Sequence, residues 1–293
     1  MKALIILLLL IAVDCFAVTT VTTAGKQKPD DASHDYFIGL LRLVLIETAD
    51  EYGFAVLQTV PFPGQERMLK LLALGAFYDV VWAGNSDTRE SEVHKIPFPL
   101  FRGGLGWRGM IIRQQDKNKF SAIHSVKDLR KLIACQGLHW PDADVLEHAG
   151  LAVARVGYFD AMLHMVALNR CDYLPLSIFE GKAELAVVQN SFPNLIFYQD
   201  LIIQYPLTMH FFVKNNNKQL AKRLILGLQR LYDSGAYDDY MQNHQLTQYA
   251  FPLTKFKKSR VIKLTNPNNK QAELTELAKF GLSWPSDNSP ENK

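Results

Sequence analysis

The side chains best suited to chemistry in this sequence stand where apolar runs end. Tyr78–Trp82 is apolar apart from Asp79, and Asn85, Ser86, Thr88 and Arg89 follow within seven residues. A guanidinium placed after a buried strand can hold a carboxylate through two parallel hydrogen bonds, and the carboxyl ends of α/β strands are where ligands bind. The alternative for Arg89 is a surface ion pair with Glu90 or Glu92. Trp82 could stack flat on a ligand or fill a core as an ordinary aromatic. Asn85, Ser86 and Thr88 offer small donors, and the same residues also build plain turns. A second cluster, Gly137-Leu-His139-Trp140-Pro-Asp142, closes one apolar run and opens a helix, whose first N–H groups favour an anion unless Asp142 or Asp144 caps them. His139 and Trp140 are candidates to reach the same cleft. Tyr173 is another, although its strand must also face a helix.

Acid/base material is sparse: Glu180, Asp172 and His139. No nucleophile elbow or paired-carboxylate signature is present, so no catalytic residue is assigned and binding without turnover is the expectation. The eight histidines show no metal-binding spacing such as HExxH, and there is no phosphate loop ending in Gly-Lys-Ser/Thr. Neither a metal nor a cofactor is expected.

The elements that must position these residues are alternating strands and helices. Val18–Thr23 is rich in β-branched residues and reads as a strand. Ser33 can cap a helix whose stripe is Tyr36, Phe37, Leu40, Leu41, Val44, Leu45 and Thr48, ended by Gly53. Phe54–Val60 is a strand stopped by Pro61 and Pro63, Gln65–Leu74 a helix, and Tyr78–Trp82 a strand of the kind buried on both faces in a parallel sheet. This is β-α-β-α-β, a doubly wound α/β unit. Trp107–Arg113 is a further strand, and polar Asp116–Lys119 marks a boundary. The pattern then restarts: helix Val126–Leu132, strand Ile133–Gln136, helix from Pro141 or Asp142 to His148, strand Ala154–Val156, helix Phe159–Leu168 and strand Asp172–Leu176. Met209–Val213 is a strand, and Gln219–Tyr232 is a helix with Leu220, Leu224, Leu228 and Leu231 on one side.

Composition fits an ordered chain: 293 residues, 48% hydrophobic and 21% charged, enough for two cores. A net charge of +3 without a Lys/Arg stripe gives no case for nucleic acid. Met1-Lys2 followed by apolar Ala3–Val13 and then Asp14-Cys15-Phe16-Ala17 reads as a signal peptide ending at residue 17, with Thr22-Thr23-Ala24 as a second cleavage site. The export this implies is to an oxidising compartment, where Cys135 and Cys171 either pair or remain two buried thiols.

The segment Tyr78–Arg113, YDVVWAGNSDTRESEVHKIPFPLFRGGLGWRGMIIR, resembles the extracellular solute-binding proteins that serve as amino-acid receptors of ABC transporters. The matching positions are Asp79, Trp82, Ser86, Thr88, Arg89, Pro97 and Ile111, with Thr88 and Arg89 closer together than the family's Thr-x-x-Arg. The resemblance continues through SVKDL (Ser125–Leu129), GLHWPDADVLEHAG (Gly137–Gly150), NRCDYLPLS (Asn169–Ser177), Tyr205-Pro206, His210–Val213 and GLQRLYDSGAYDDY (Gly227–Tyr240), and so covers most of the mature chain. It implies a type II periplasmic-binding fold: two doubly wound α/β lobes joined by crossing strands near Trp107–Arg113 and Met209–Val213. Lobe one would be 18–112 and 209–283, lobe two 113–208, and 284–293 a disordered tail. Trp107 and Arg108 then stand at the crossing, where either could touch ligand or simply pack and pair. Amino-acid receptors place an acid at the end of the lobe-two strand. Leu176 or Ser177 is there in this chain, with Glu180 farther along, which argues against an α-amino-acid ligand.

The function expected from the resemblance is capture of a small polar, anionic solute in the periplasm, by a monomer, for delivery to a membrane permease. A ligand-sensing co-receptor for a membrane signalling protein and a dehydratase-like enzyme are the alternatives.

Overall fold

The structure, a computed structural model, describes residues 18–27, 30–268 and 270–285. The signal peptide at 1–17 and residues 286–293 of the expected tail lie outside them. The elements in chain order are β1 (Thr19–Ala24), α1 (Ala32–Glu47), α2 (Ala49–Tyr52), β2 (Ala55–Val60), α3 (Gln65–Leu74), β3 (Val80–Gly84), α4 (Asp87–Glu92) and β4 (His94–Lys95). Then come β5 (Trp107–Arg113), α5 (Lys117–Ser121), α6 (Val126–Leu129), β6 (Ile133–Gly137), α7 (Pro141–His148), β7 (Ala152–Val156), α8 (Phe159–Ala167), β8 (Leu174–Ser177) and α9 (Gly181–Val188). The chain closes with β9 (Leu195–Gln204), β10 (Met209–Val213), α10 (Lys218–Asp233), α11 (Ala236–Asn243), β11 (Arg260–Lys263) and α12 (Gln271–Phe280).

Lobe one grows from the expected β-α-β start. β1 and β2 pair in parallel from Thr19↔Ala55 to Ala24↔Val60, and Asp79 ties β3 beside them through its backbone N–H to the Thr22 carbonyl, 2.8 Å. The apolar stripe of α1 buries Tyr36, Phe37, Leu40, Leu41, Val44 and Leu45. Its cap is Asp31, which accepts from the His34 N–H at 2.9 Å; Ser33 is the second residue of the helix and does not cap it. A cut after Ala24 would remove β1. β3 pairs antiparallel with β10, not within an all-parallel sheet. β10 therefore belongs to lobe one, and it is not the return crossing that its sequence suggests.

Lobe two is built on parallel β6 and β7, with β8 bridged to β6 through Ala134↔Tyr173. Cys135 and Cys171 form a disulfide that ties β6 to the residues preceding β8. The two lobes meet through antiparallel β5 and β9, which pair from Trp107↔Gln204 to Arg113↔Leu195. The crossings themselves are Gly106–Trp107 outward and Gln204–Tyr205 inward. Gly106 is required here: a Cβ would lie 1.8 Å from the Tyr205 carbonyl oxygen. Trp284, read from sequence as the start of a disordered tail, packs edge-on against Trp107 at 5.0 Å and beside Phe256 at 5.8 Å.

Candidate functional site

Arg89 is the residue on which the lobes converge. β3 ends at Gly84, Ser86 caps α4 by accepting from the Arg89 N–H at 3.4 Å, and this turn sends the Arg89 side chain back over the strand end. One terminal nitrogen donates to the Gly84 carbonyl. The other donates to Gln65 Oε1 at 2.7 Å and, across the seam, to the His139 carbonyl of lobe two at 2.9 Å. All three acceptors are neutral. Burial pulls the Arg89 pKa down to about 10, against the opposing attraction of Asp142, Glu66 and Asp144. The surface pairing with Glu90 or Glu92 is not made: Glu90 lies against Lys95 and Lys270 instead.

His139 is exposed, and its Nδ1 stands 3.0 Å from Glu66 Oε2, a second contact between the lobes. Gly84 and Pro141 face each other closely enough that a Cβ on Gly84 would sit 3.6 Å from the proline ring. Ser33, released from capping, donates to Glu184 Oε1 of α9 at 2.8 Å.

Below this seam lies a buried polar cluster assembled from both crossings and lobe two. Arg108, 2% exposed, pairs with Asp142 and stands 3.6 Å from Glu180. The Tyr205 hydroxyl donates to the same Asp142 oxygen. Asp142 is thus drawn to β5 rather than capping α7, where Trp140 is the boundary residue and Pro141 opens the first turn. Burial opposes the charge of Arg108, but Asp142, Tyr205 and Glu180 more than offset it and its pKa lies above the usual range. Glu180 responds in the opposite sense. Desolvation pushes it up to about 7, assisted by Glu184 and Asp142 and only partly countered by Arg108. Asp142, Glu180 and Glu184 crowd this space around the one guanidinium of Arg108.

The other residues singled out from sequence are distributed away from the seam. Asn85 donates to Glu90 at 2.7 Å and to Glu273 of α12 at 2.9 Å, so it is held against the C-terminal helix. Thr88 is exposed, and its carbonyl accepts from Ser91 at 2.7 Å. Trp82 stacks on Phe37 at 5.1 Å and meets His34 edge-on, which makes it part of the lobe-one packing. Trp107 is buried between Phe179 and Trp284. Trp140 folds back on Gly137, where a Cβ would be 2.5 Å from the indole. Tyr173 is fully buried beside Phe120 in the lobe-two interior, because its strand is covered on both faces. Asp172 binds Lys119 and the Ile133 N–H at the far end of lobe two, so it is not acid/base material for the cleft. Of the ten candidates, Arg89, Arg108 and His139 meet at the lobe junction. Asp142, Glu180, Glu184, Tyr205, Ser33, Gln65 and Glu66 complete it. Of these, the sequence marks Ser33 and Asp142 as helix caps and Glu180 as acid/base material, while Gln65, Glu66 and Glu184 carry no signal of their own.

No family model matches the chain, and no curated protein matches it. Solved structures do. A histidine kinase sensor domain with similarity to periplasmic binding proteins superposes with a TM-score of 0.58 at 16% identity, covering 78% of this chain and 95% of its own. A Salmonella typhimurium periplasmic binding protein with high arginine specificity gives 0.56 at 14%, covering 78% and 99%. An ancestral amino-acid-binding protein described as a precursor of cyclohexadienyl dehydratase also gives 0.56 at 14%, covering 78% and 94%. The chain therefore has the two-lobe α/β fold of the periplasmic amino-acid-binding proteins.

Proposed function

We propose that this chain is an exported solute-binding protein that closes its lobes on a small polar solute carrying a carboxylate, and presents it to a membrane permease. The observation that carries this reading is Arg89: a buried guanidinium at a strand's carboxyl end, on the seam between lobes, hydrogen-bonded to neutral acceptors alone. An incoming carboxylate exchanges these bonds to neutral oxygens for a bidentate ion pair in which both partners are charged. The leader Met1–Ala17 and the Cys135–Cys171 disulfide support secretion to the periplasm. A sensor domain among the similar structures supports a membrane receptor as the alternative partner.

The test is native mass spectrometry of protein purified without refolding, to identify a retained solute, followed by calorimetry on wild type, Arg89→Lys and Arg89→Ala. Loss of the guanidinium should cost about 2–5 kcal/mol of affinity, and lysine should restore only part because it lacks the planar fork. Unchanged affinity in Arg89→Ala defeats the reading.

A second reading has one observation in its favour. A partly buried carboxyl with a pKa of about 7, Glu180, is half protonated at neutral pH and is suited to donate a proton. Turnover of the retained solute, lost in Glu180→Gln, would make the protein an enzyme of the dehydratase type.

A further inference from the structure

A two-lobe protein needs two crossings, and this one has a third connection. β11 begins on lobe two, where Arg260 donates to the carbonyls of Ser121, at 3.2 Å, and Ile123, and Ser259 donates to the Gln199 carbonyl at 2.7 Å. It runs parallel to β9 from Leu201 to Gln204. The chain then follows the inward crossing: the Leu264 N–H donates to Gln204 O and Asn266 Nδ2 to Pro206 O, both at 2.8 Å.

α12 attaches the other end to lobe one. Lys270 pairs with Glu90 at 2.8 Å and Asp87 at 3.1 Å. Glu273, buried, accepts from Asn85 and Thr208, and Glu276 pairs with Lys95 at 3.1 Å. Phe280 packs on Phe98 with ring centres 4.5 Å apart. The final residues return to the outward crossing: the Leu282 N–H donates to Arg102 O at 2.9 Å, and Trp284 covers Trp107.

We infer that residues 260–284 form a strap that limits how far the lobes open, because it is anchored to lobe two through Arg260 and to lobe one through α12. Two neighbouring crossings leave a bending axis free. A third chain bound on both sides must stretch or let go as that axis bends. β11 ends at Lys263 and α12 begins at Gln271, and Leu264 and Asn266 between them are hydrogen-bonded to the inward crossing, so part of the connection is already committed. The same strap holds Asn85, four residues before Arg89, and so couples the seam loop to the hinge.

The test uses the solute-free full chain and is independent of what the cleft binds. Spin labels at Arg42→Cys in lobe one and Lys131→Cys in lobe two report the interlobe distance by pulsed dipolar spectroscopy. Two variants relax the strap: Arg260→Ala weakens its lobe-two anchor, and about ten Gly/Ser residues inserted between Pro267 and Asn268 slacken it while keeping both anchors. Both should move the distance distribution to longer values and broaden it, with the far-ultraviolet circular dichroism of wild type. A folded insertion variant with the wild-type distribution overturns the strap, whatever Arg260→Ala does. If the insertion variant does not fold, an unchanged distribution in Arg260→Ala overturns it instead.

Discussion

Glu180 allows the electrostatics of the cleft to be tested without any solute. Its carboxyl titrates near 4.5 when exposed and at about 7 in the folded protein, because burial disfavours its charge more than Arg108 restores it. For a carboxyl raised on folding, the native state keeps a proton that the unfolded chain has released. Stability is therefore greatest below the unfolded pKa and falls as pH rises from about 4.5 to about 7. At about 1.4 kcal/mol per pKa unit, the displacement corresponds to about 3 kcal/mol across that window. Another group works in the opposite direction. His210 is buried and held neutral, its pKa lowered to about 3 by desolvation and by Lys95, so it adds stability as pH rises from about 3 to 6.5. The wild-type curve mixes the two, and the comparison with Glu180→Gln separates them, since glutamine has a similar shape and no proton to lose. Denaturant unfolding of both proteins at several pH values between 4 and 8 is the assay. Glu180→Gln should gain on wild type by about 3 kcal/mol between the ends of that range. Parallel curves would refute the argument that Glu180 is desolvated beyond what Arg108 repairs.

Three further perturbations follow from the packing. The Cys135→Ser/Cys171→Ser double variant opens a loop with a sequence separation of 36 residues and should lose about 4 kcal/mol, read as a lower denaturation midpoint that reductant no longer changes. Gly106→Ala places a methyl against the Tyr205 carbonyl and must force the two crossings apart; scanning calorimetry should show a lowered Tm, and a wild-type Tm would mean that the crossings are not in contact. Leu41→Ala empties a fully buried site in the lobe-one core and should cost about 2–5 kcal/mol in chemical denaturation, with the secondary-structure signal retained.

The parts legible in the sequence are those fixed by neighbours along the chain. The stripe of α1, the helix opening at Pro141 and the position of Arg89 after a buried strand all follow from local periodicity and turn residues. Asn85 shows where that reasoning stops. Its surroundings read as a ligand loop, but its amide is claimed by Glu273, 188 residues away. The Arg108 cluster has the same character, since β5, α7, the inward crossing and α9 each contribute one or two groups that carry no shared motif. β9 is hidden by polar Gln199-Asp200 in the middle of its apolar run, and the strand of Tyr173 looks like a cleft edge only because both of its coverings come from elsewhere. The β10 misreading arose because antiparallel pairing between β3 and a strand 125 residues later leaves no periodic trace.

Under the proposed function, the neutral acceptors around Arg89 also bear on discrimination. Because the guanidinium is already satisfied, any solute enters by exchange: it must remove Gln65, Gly84 or the His139 carbonyl from the fork before it gains anything. A neutral amide offers bonds of the same strength as those displaced, and the net gain from that end of the molecule is close to zero. A carboxylate gains because it brings its own negative charge and matches the guanidinium fork with two parallel bonds. In that reading the protein's own atoms act as a standing competitor, and uncharged isosteres would be rejected without a steric barrier. Release follows the same route, since the departing carboxylate leaves behind acceptors that are already within reach.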